Sequence, residues 1–238
     1  MTDFSSIEEA LKAPKTRLVF DSTALGDCYV YKKEIETPEI DLHGGMVKIW
    51  VLPVVGERYV VYSDPSDGKD DPHACGVLHT RTGQIVATSH GKITADVCAR
   101  IHDSLVRLYN NAYNSYEINA TAGGKFAESI ETLDTPNRQG FRKGKPVVKD
   151  KGWWTGGPVK KDMIWGLEEA IRSRLLIFYD KEMFAELGEL IVPEGEDPQV
   201  RSGVHDDYIM MLGGLWQIKK YCPLGIRKVI SFPAKQEW

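Results

Sequence analysis

Three β-type segments in close succession between residues 58 and 91 constrain the fold of this chain more than any other feature. RYVVYSD (58–64) is an apolar, β-branched and aromatic run that ends in an acid. After the loop PSDGKDDPH come ACGVLHT, a turn at RTGQ, and IVATSHG. Two such runs joined by a short Gly-containing turn read as a hairpin, so the three segments are expected as antiparallel neighbours. Thr94 is placed to cap a helix running to about Tyr113, because Val97, Ile101, Leu105 and Leu108 recur at three or four residues. SYEINAT (115–121) reads as a fourth strand, broken by Gly123-Gly124 and followed by a helix over Lys125–Leu133. A crossover helix implies that the fourth strand runs parallel to its neighbour. The expected class is therefore α/β, with a central mixed sheet whose first three strands are antiparallel, flanked by helices.

Later elements follow the same logic. Pro158 opens a helix from Lys160 to Leu175, in the first turn where proline is tolerated. LLIFY (175–179) is a fifth strand or the end of that helix, and Lys181–Leu190 is helical. The loop PEGEDPQVRSG leads to a last helix in HDDYIMMLGGLWQIKKY. Before residue 56 the pattern is weaker. Ser5–Leu11 reads as a short helix, and Asp27–Glu34 and Met46–Val54 as a strand pair with a turn at Gly44-Gly45. Residues 1–55 are thus expected as an N-terminal extension or linker, and 56–238 as the main domain.

No run of about 18 apolar residues exists, so no membrane span is expected, and the polar, acidic start is not a secretory signal. Cys28, Cys75, Cys98 and Cys222 are scattered without metal-ligand spacing, which predicts reduced thiols and no zinc site. The net charge of −4 is unevenly spread. Residues 138–161 hold Arg138, Arg142, Lys143, Lys145, Lys149, Lys151, Lys160 and Lys161 against Asp150 alone, a local +7 that leaves −11 elsewhere. A basic segment on an acidic body can hold a phosphate backbone locally, and the plain alternative is a solvated loop.

Four acids carry the chemistry. Asp64 ends the first core strand, Glu117 lies in the fourth, and Asp206 and Asp207 open the last helix. All occupy positions that can converge at one sheet edge. Convergent carboxylates raise each other's pKa and call for cations. Oxygen donors without paired Cys or His favour Mg²⁺ or Mn²⁺, and two such ions would clamp the attacking and leaving oxygens of a phosphodiester displacement. Each acid has a bland alternative: an Asp-Pro turn for Asp64, and helix capping for Asp206 and Asp207. Glu117 is the sharpest, because alternation puts it on the face opposite Tyr116 and Ile118.

Taken together, YVVYSDPSDG, DPHACGVLHTRTGQIVAT, LYNNAYNSYEINATAGG, KGWWTGGPVKKDMIWGLEEAI and SGVHDDYIMMLGGLW resemble the nuclease domain of tailed-phage large terminase subunits. The shared pattern is a strand ending in Asp with a following Gly, Glu-x-Asn, Trp-x-Thr before a helix, and His-Asp-Asp. It runs from about Tyr59 to Trp216. The resemblance implies a ribonuclease H-like fold and a metal-dependent endonuclease that cuts double-stranded DNA in the host cytoplasm during genome packaging. It implies a packaging ATPase domain, a portal and a small terminase subunit as partners. It makes Asp64, Glu117, Asp206 and Asp207 the metal-binding acids, with Asp207 the favoured direct ligand. His205 becomes a metal ligand, a water-orienting group or a cap, and Asp180 a lesser ancillary acid. Trp153 and Trp154 either pack or stack on DNA, with packing favoured. The phosphate-binding loop GxxxxGK[ST] of the packaging motor is absent, so ATP hydrolysis is not expected, and the chain reads as an excised domain or a separate nuclease subunit. Competing readings are another ribonuclease H-like nuclease, such as a Holliday-junction resolvase, or a non-catalytic DNA-binding or motor-docking module.

Overall fold

The computed structural model describes residues 16–35, 46–69, 71–147 and 152–223. Expectations for Ser5–Leu11, Gly44-Gly45, Lys149 and Lys151 lie outside them. The core is a five-stranded sheet built from β2 (Val47–Ile49), β3 (Tyr59–Asp64), β4 (His73–His79), β5 (Ile85–Gly91) and β6 (Tyr113–Tyr116). Their order is β2-β5-β4-β3-β6, antiparallel throughout except for the parallel β3–β6 pair. The antiparallel meander and the parallel fourth strand are as expected from sequence.

Both sheet faces are covered, which is why YVVYS is apolar without a polar side. Val60, Tyr62 and Leu78 face α4 (Gly157–Arg172) and α6 (Asp207–Lys219), whereas Val61, Cys75 and Val77 face α2 (Ala95–Leu108). Helix α6 lies unusually close to the sheet. A Cβ on Gly214 would sit 2.3 Å from the Tyr62 ring, and one on Gly76 2.2 Å from the Met211 sulfur. Those two glycines let the helix start at the carboxyl end of β3.

Around this core stand α1 (Ser22–Cys28), α3 (Ala120–Thr132) and α5 (Lys181–Leu187). A small sheet joins β1 (Thr16–Leu18), β9 (Leu190–Pro193) and β10 (Gln199–Val200), and β7 (Gly140–Arg142) pairs with β8 (Lys145–Val147) as a hairpin. All four cysteines are unpaired. No helix among the described residues is long and apolar enough to cross a membrane.

Several elements differ from expectation. Asp27–Glu34 is not a strand. Asp21 caps α1 by accepting from the Ala24 amide at 2.8 Å, and the chain leaves the helix extended, with only a bridge at Tyr29. Gly123 and Gly124 do not end the fourth strand, which stops at Tyr116; both lie inside α3. A Cβ on Gly123 would lie 2.6 Å from the Ile118 carbonyl carbon, so glycine there serves the close return of the helix onto the preceding segment. LLIFY belongs neither to a ladder nor to a helix. It is extended, bridging Tyr29 and Gln84 through Phe178 and Ile177. Residues of the expected extension are built into the core: β2 edges the main sheet, and Val19, Phe20, Leu25 and Cys28 are buried with α4 and α6.

Candidate metal centre

Because β5 and β6 both run parallel to β3, the carboxyl ends of these three strands share one sheet edge, the usual place for a ligand in an open α/β sheet. Asp64 is the last residue of β3, and Glu117 follows β6, its amide bonded to the Ser63 carbonyl at 2.9 Å. Asp206 and Asp207 arrive from the start of α6. All four acids and His205 line one cleft of about 650 Å³, with Asp67, Asp71, Asn119 and Thr121.

The cleft is electrostatically unbalanced. Asp64 opens partly to it, yet protein surrounds the carboxyl on its other sides. Burial first, then the charge and hydrogen bond of Glu117, and then Asp207 and Asp206 push the Asp64 pKa well above the ordinary range. Glu117 is held by Asn119, whose Nδ2 donates to Glu117 Oε1 and to Thr155 Oγ1, both at 2.8 Å. The Thr155 amide returns a bond to Asn119 Oδ1 at 3.1 Å. Thus the Glu-x-Asn and Trp-x-Thr segments are two halves of one support. Asn119 occupies the N-cap position of α3 but makes no side-chain capping bond, its side chain being committed to Glu117 and Thr155.

The pair at α6 is divided. Asp206 stands at the N-cap without a side-chain capping bond, and its Oδ2 accepts from Lys160 Nζ at 2.6 Å. Burial opposes the Lys160 charge, but Asp206, with Glu117 and Asp64 behind it, holds its pKa above the usual lysine value. Asp207 is 8 % exposed, and its Oδ2 is buried with no hydrogen-bond partner. The capping explanation therefore accounts for neither side chain.

The other candidates separate. His205 is exposed and pairs through Nδ1 with Asp71 Oδ1 at 3.1 Å, on the rim. Asp180 does not line this cleft: its carboxylate accepts from Thr88 and Tyr208, caps α5 at the Glu182 amide and pairs with Lys48. Trp153 is a packing residue, stacked on Phe141 at 4.6 Å, whereas Trp154 is 59 % exposed. Of the basic set, Lys160 is tied to Asp206 and Lys161 to Asp197. Arg138 lies 4.0 Å from Glu131, while Arg142, Lys143 and Lys145 lie on the β7–β8 hairpin.

Two residues went unseen in the sequence. His90, near the carboxyl end of β5, places Nε2 3.5 Å from Asp207 Oδ2. Glu186, on α5, accepts from the Ile209 amide at 3.0 Å, and burial, followed by Asp207 and Asp206, pushes its pKa to about 8. Strand order alone could have put His90 at this edge, but nothing in the sequence marks Glu186.

No protein-family model matches the chain, and no curated protein does either. Solved structures do. The large terminase nuclease of thermophilic phage G20c, in a form described as having bound magnesium, aligns with a TM-score of 0.64 at 17 % identity, over 84 % of this chain and 96 % of that one. The nuclease domain of the Thermus phage P74-26 large terminase gives 0.63 at 16 %, over 84 % and 94 %. The nuclease domain of the large terminase subunit gp2 of bacterial virus Sf6 gives 0.52 at 13 %, over 87 % and 100 %. The chain thus has the ribonuclease H-like fold of these domains.

Proposed function

We propose that this chain is a divalent-metal-dependent endonuclease that cuts double-stranded DNA during viral genome packaging in the host cytoplasm. The observation that carries the reading is the meeting of Asp64, Glu117, Asp206 and Asp207 in one cleft, in a chain with the fold of terminase nucleases. The donor set fits Mg²⁺ or Mn²⁺: it is oxygen-rich, burial and the neighbouring acids push the Asp64 pKa up in the absence of a cation, and Asp207 Oδ2 is buried without a hydrogen-bond partner. Asp64, Glu117 and Asp207 would hold the metal, with Asp206 as a second ligand or a water-positioning group. Bound cations, two in this reading, would supply the positive charge that stabilises the attacking and leaving oxygens of a phosphodiester displacement.

The chain's own residues do the rest. Asn119 and Thr155 fix the Glu117 carboxylate, so little reorganisation is needed when DNA arrives. Lys160 restrains Asp206 and would be free to meet a phosphate once a cation takes its place. Arg142, Lys143 and Lys145 present a basic hairpin for backbone contacts, with Arg138, Lys161, Lys149 and Lys151 as further members of the basic set. A packaging ATPase, a portal and a small terminase subunit are the proposed partners.

Cleavage of linear duplex in Mg²⁺ or Mn²⁺ is the direct test. Excess EDTA should abolish it. Asp64→Asn should lose roughly a hundredfold or more while remaining folded, because metal charge stabilisation is worth several kcal/mol. Activity that persists in EDTA, or in folded Asp64→Asn, would refute the reading.

A further inference from the structure

His90, Glu186 and Asp207 come from β5, α5 and α6, and one donor atom of each lies within 4.8 Å of the others. His90 Nε2 and Asp207 Oδ2 face each other at 3.5 Å, and both are buried without a hydrogen-bond partner. Native structures leave few buried polar atoms in that condition, and each asks for an explanation. A structural account of Glu186 exists: its Oε1 accepts from the Ile209 amide in the first turn of α6. That bond explains one oxygen. It leaves Asp207 Oδ2 and His90 Nε2 unexplained, on the side where a third ligand already stands. The imidazole is also held in place, since it stacks on Tyr208 at 4.3 Å and the Tyr208 hydroxyl is anchored to Asp180.

We infer that His90, Glu186 and Asp207 form a further divalent-cation position beside the acidic cleft, sharing Asp207 with it. The inference rests on the proposed function only for the role of Asp207. Its chemistry differs from that of the oxygen-rich cluster. One imidazole nitrogen with two carboxylates suits Mn²⁺, Co²⁺ or Zn²⁺ better than Mg²⁺. Donors about 2.1 Å from a common ion stand about 3.0–3.4 Å apart at octahedral or tetrahedral angles, so the His90–Asp207 separation of 3.5 Å is already close, and Glu186 would move inward by roughly an ångström. Asp207 would use one oxygen toward Asp64 and Glu117 and the other toward His90 and Glu186. Its burial at the start of α6 then follows from bridging two positions.

Mn²⁺ titration of the full chain, read by electron paramagnetic resonance for nitrogen coupling, tests this without any cleavage measurement. Bound Mn²⁺ should carry imidazole nitrogen coupling in the wild type and in His205→Ala. His90→Phe, which keeps the ring stack, should lose it. Glu186→Gln, which keeps an oxygen for the Ile209 amide, should weaken that Mn²⁺ about tenfold or more. Absence of nitrogen coupling in the wild type, or its survival in His90→Phe, overturns the inference, and so does its loss in His205→Ala. Should His90→Phe fail to fold, unchanged Mn²⁺ affinity in Glu186→Gln overturns it instead. Asp64→Asn separates the two readings. Wild-type cleavage there would sink the proposed nuclease, whereas retention of the nitrogen-coupled ion supports the new position.

Discussion

Ser63 and Asp64 are consecutive on β3 and meet opposite treatment. Ser63 is fully buried beneath α2, where its hydroxyl bonds His102 Nδ1 at 2.7 Å. His102 Nε2 meets Asn114 Oδ1 at 3.2 Å, and the Asn114 amide donates to the carbonyls of Ala112 and Pro136. That chain of bonds ends on backbone carbonyls and carries no formal charge. Asp64, one residue on, faces Glu117, Asp206 and Asp207, and the only cation bonded to any of the four among the described residues is Lys160, at Asp206. Buried polar groups are tolerable when all are satisfied. The difference teaches that the protein can satisfy polar groups at this depth, as the Ser63 network does, and yet leaves Asp207 Oδ2 in the cleft without a hydrogen-bond partner. The unsatisfied side is where a ligand belongs.

The largest effect that would break this contrast lies at α6. Asp207→Ala should abolish cleavage at any metal concentration, because its buried Oδ2 has no hydrogen-bond partner in the chain and is left for cations. Asp206→Ala, which frees Lys160, should leave residual activity that excess Mn²⁺ partly restores. Kinetics across an Mn²⁺ series checks the split. Equal, unrescued loss in both variants would mean that the two acids act alike. Wild-type activity in either would remove it from the site.

A smaller effect is expected on the closed side. His102→Leu should cost roughly 1–3 kcal/mol for each of the two groups it orphans, Ser63 Oγ and Asn114 Oδ1. A urea midpoint shifted at constant slope would report it. Cleavage per folded molecule should stay near wild type. A folded His102→Leu that no longer cuts would tie the network to the chemistry and dissolve the contrast.

How much of this could be read from the sequence follows the same division. The meander, the parallel β6, the Pro158 helix and the convergence of Asp64, Glu117, Asp206 and Asp207 were legible, because strand period and strand ends are local signals. Gly123 and Gly124 read as breakers because the reason for Gly123, the approach of Ile118, is tertiary. The helix at Ser22–Cys28 was missed although Asp21 offered a cap signal, since seven residues give little periodicity. Glu186 reads as an ordinary helical acid. Only the start of α6 packed against it reveals a buried carboxyl.

The smallest expected effect is a change in how stability follows pH, and here the two regions should pull in opposite directions. Burial lowers the His102 pKa to about 4, and His73 likewise, so the unfolded chain binds these protons more readily. Their contribution is complete above the unfolded value of about 6.5 and is lost as pH falls toward 4. Glu186 runs the other way. Its folded pKa of about 8 lies above the unfolded value of about 4.3, so in chelator the folded state binds the extra proton, and stability declines as pH rises through that window. Between pH 4.5 and 6.5 the slopes oppose: two histidines pull one way, while Glu186 and Asp64, whose pKa burial and its acidic neighbours also push up, pull the other, so the wild-type urea midpoint should change little. Glu186→Gln, measured in EDTA, should uncover the histidine slope, with stability rising with pH. His102→Leu should uncover the acid slope, with stability falling. Identical profiles for all three proteins would mean that neither group titrates as its surroundings dictate, and the contrast between the two sides of β3 would lose its electrostatic half.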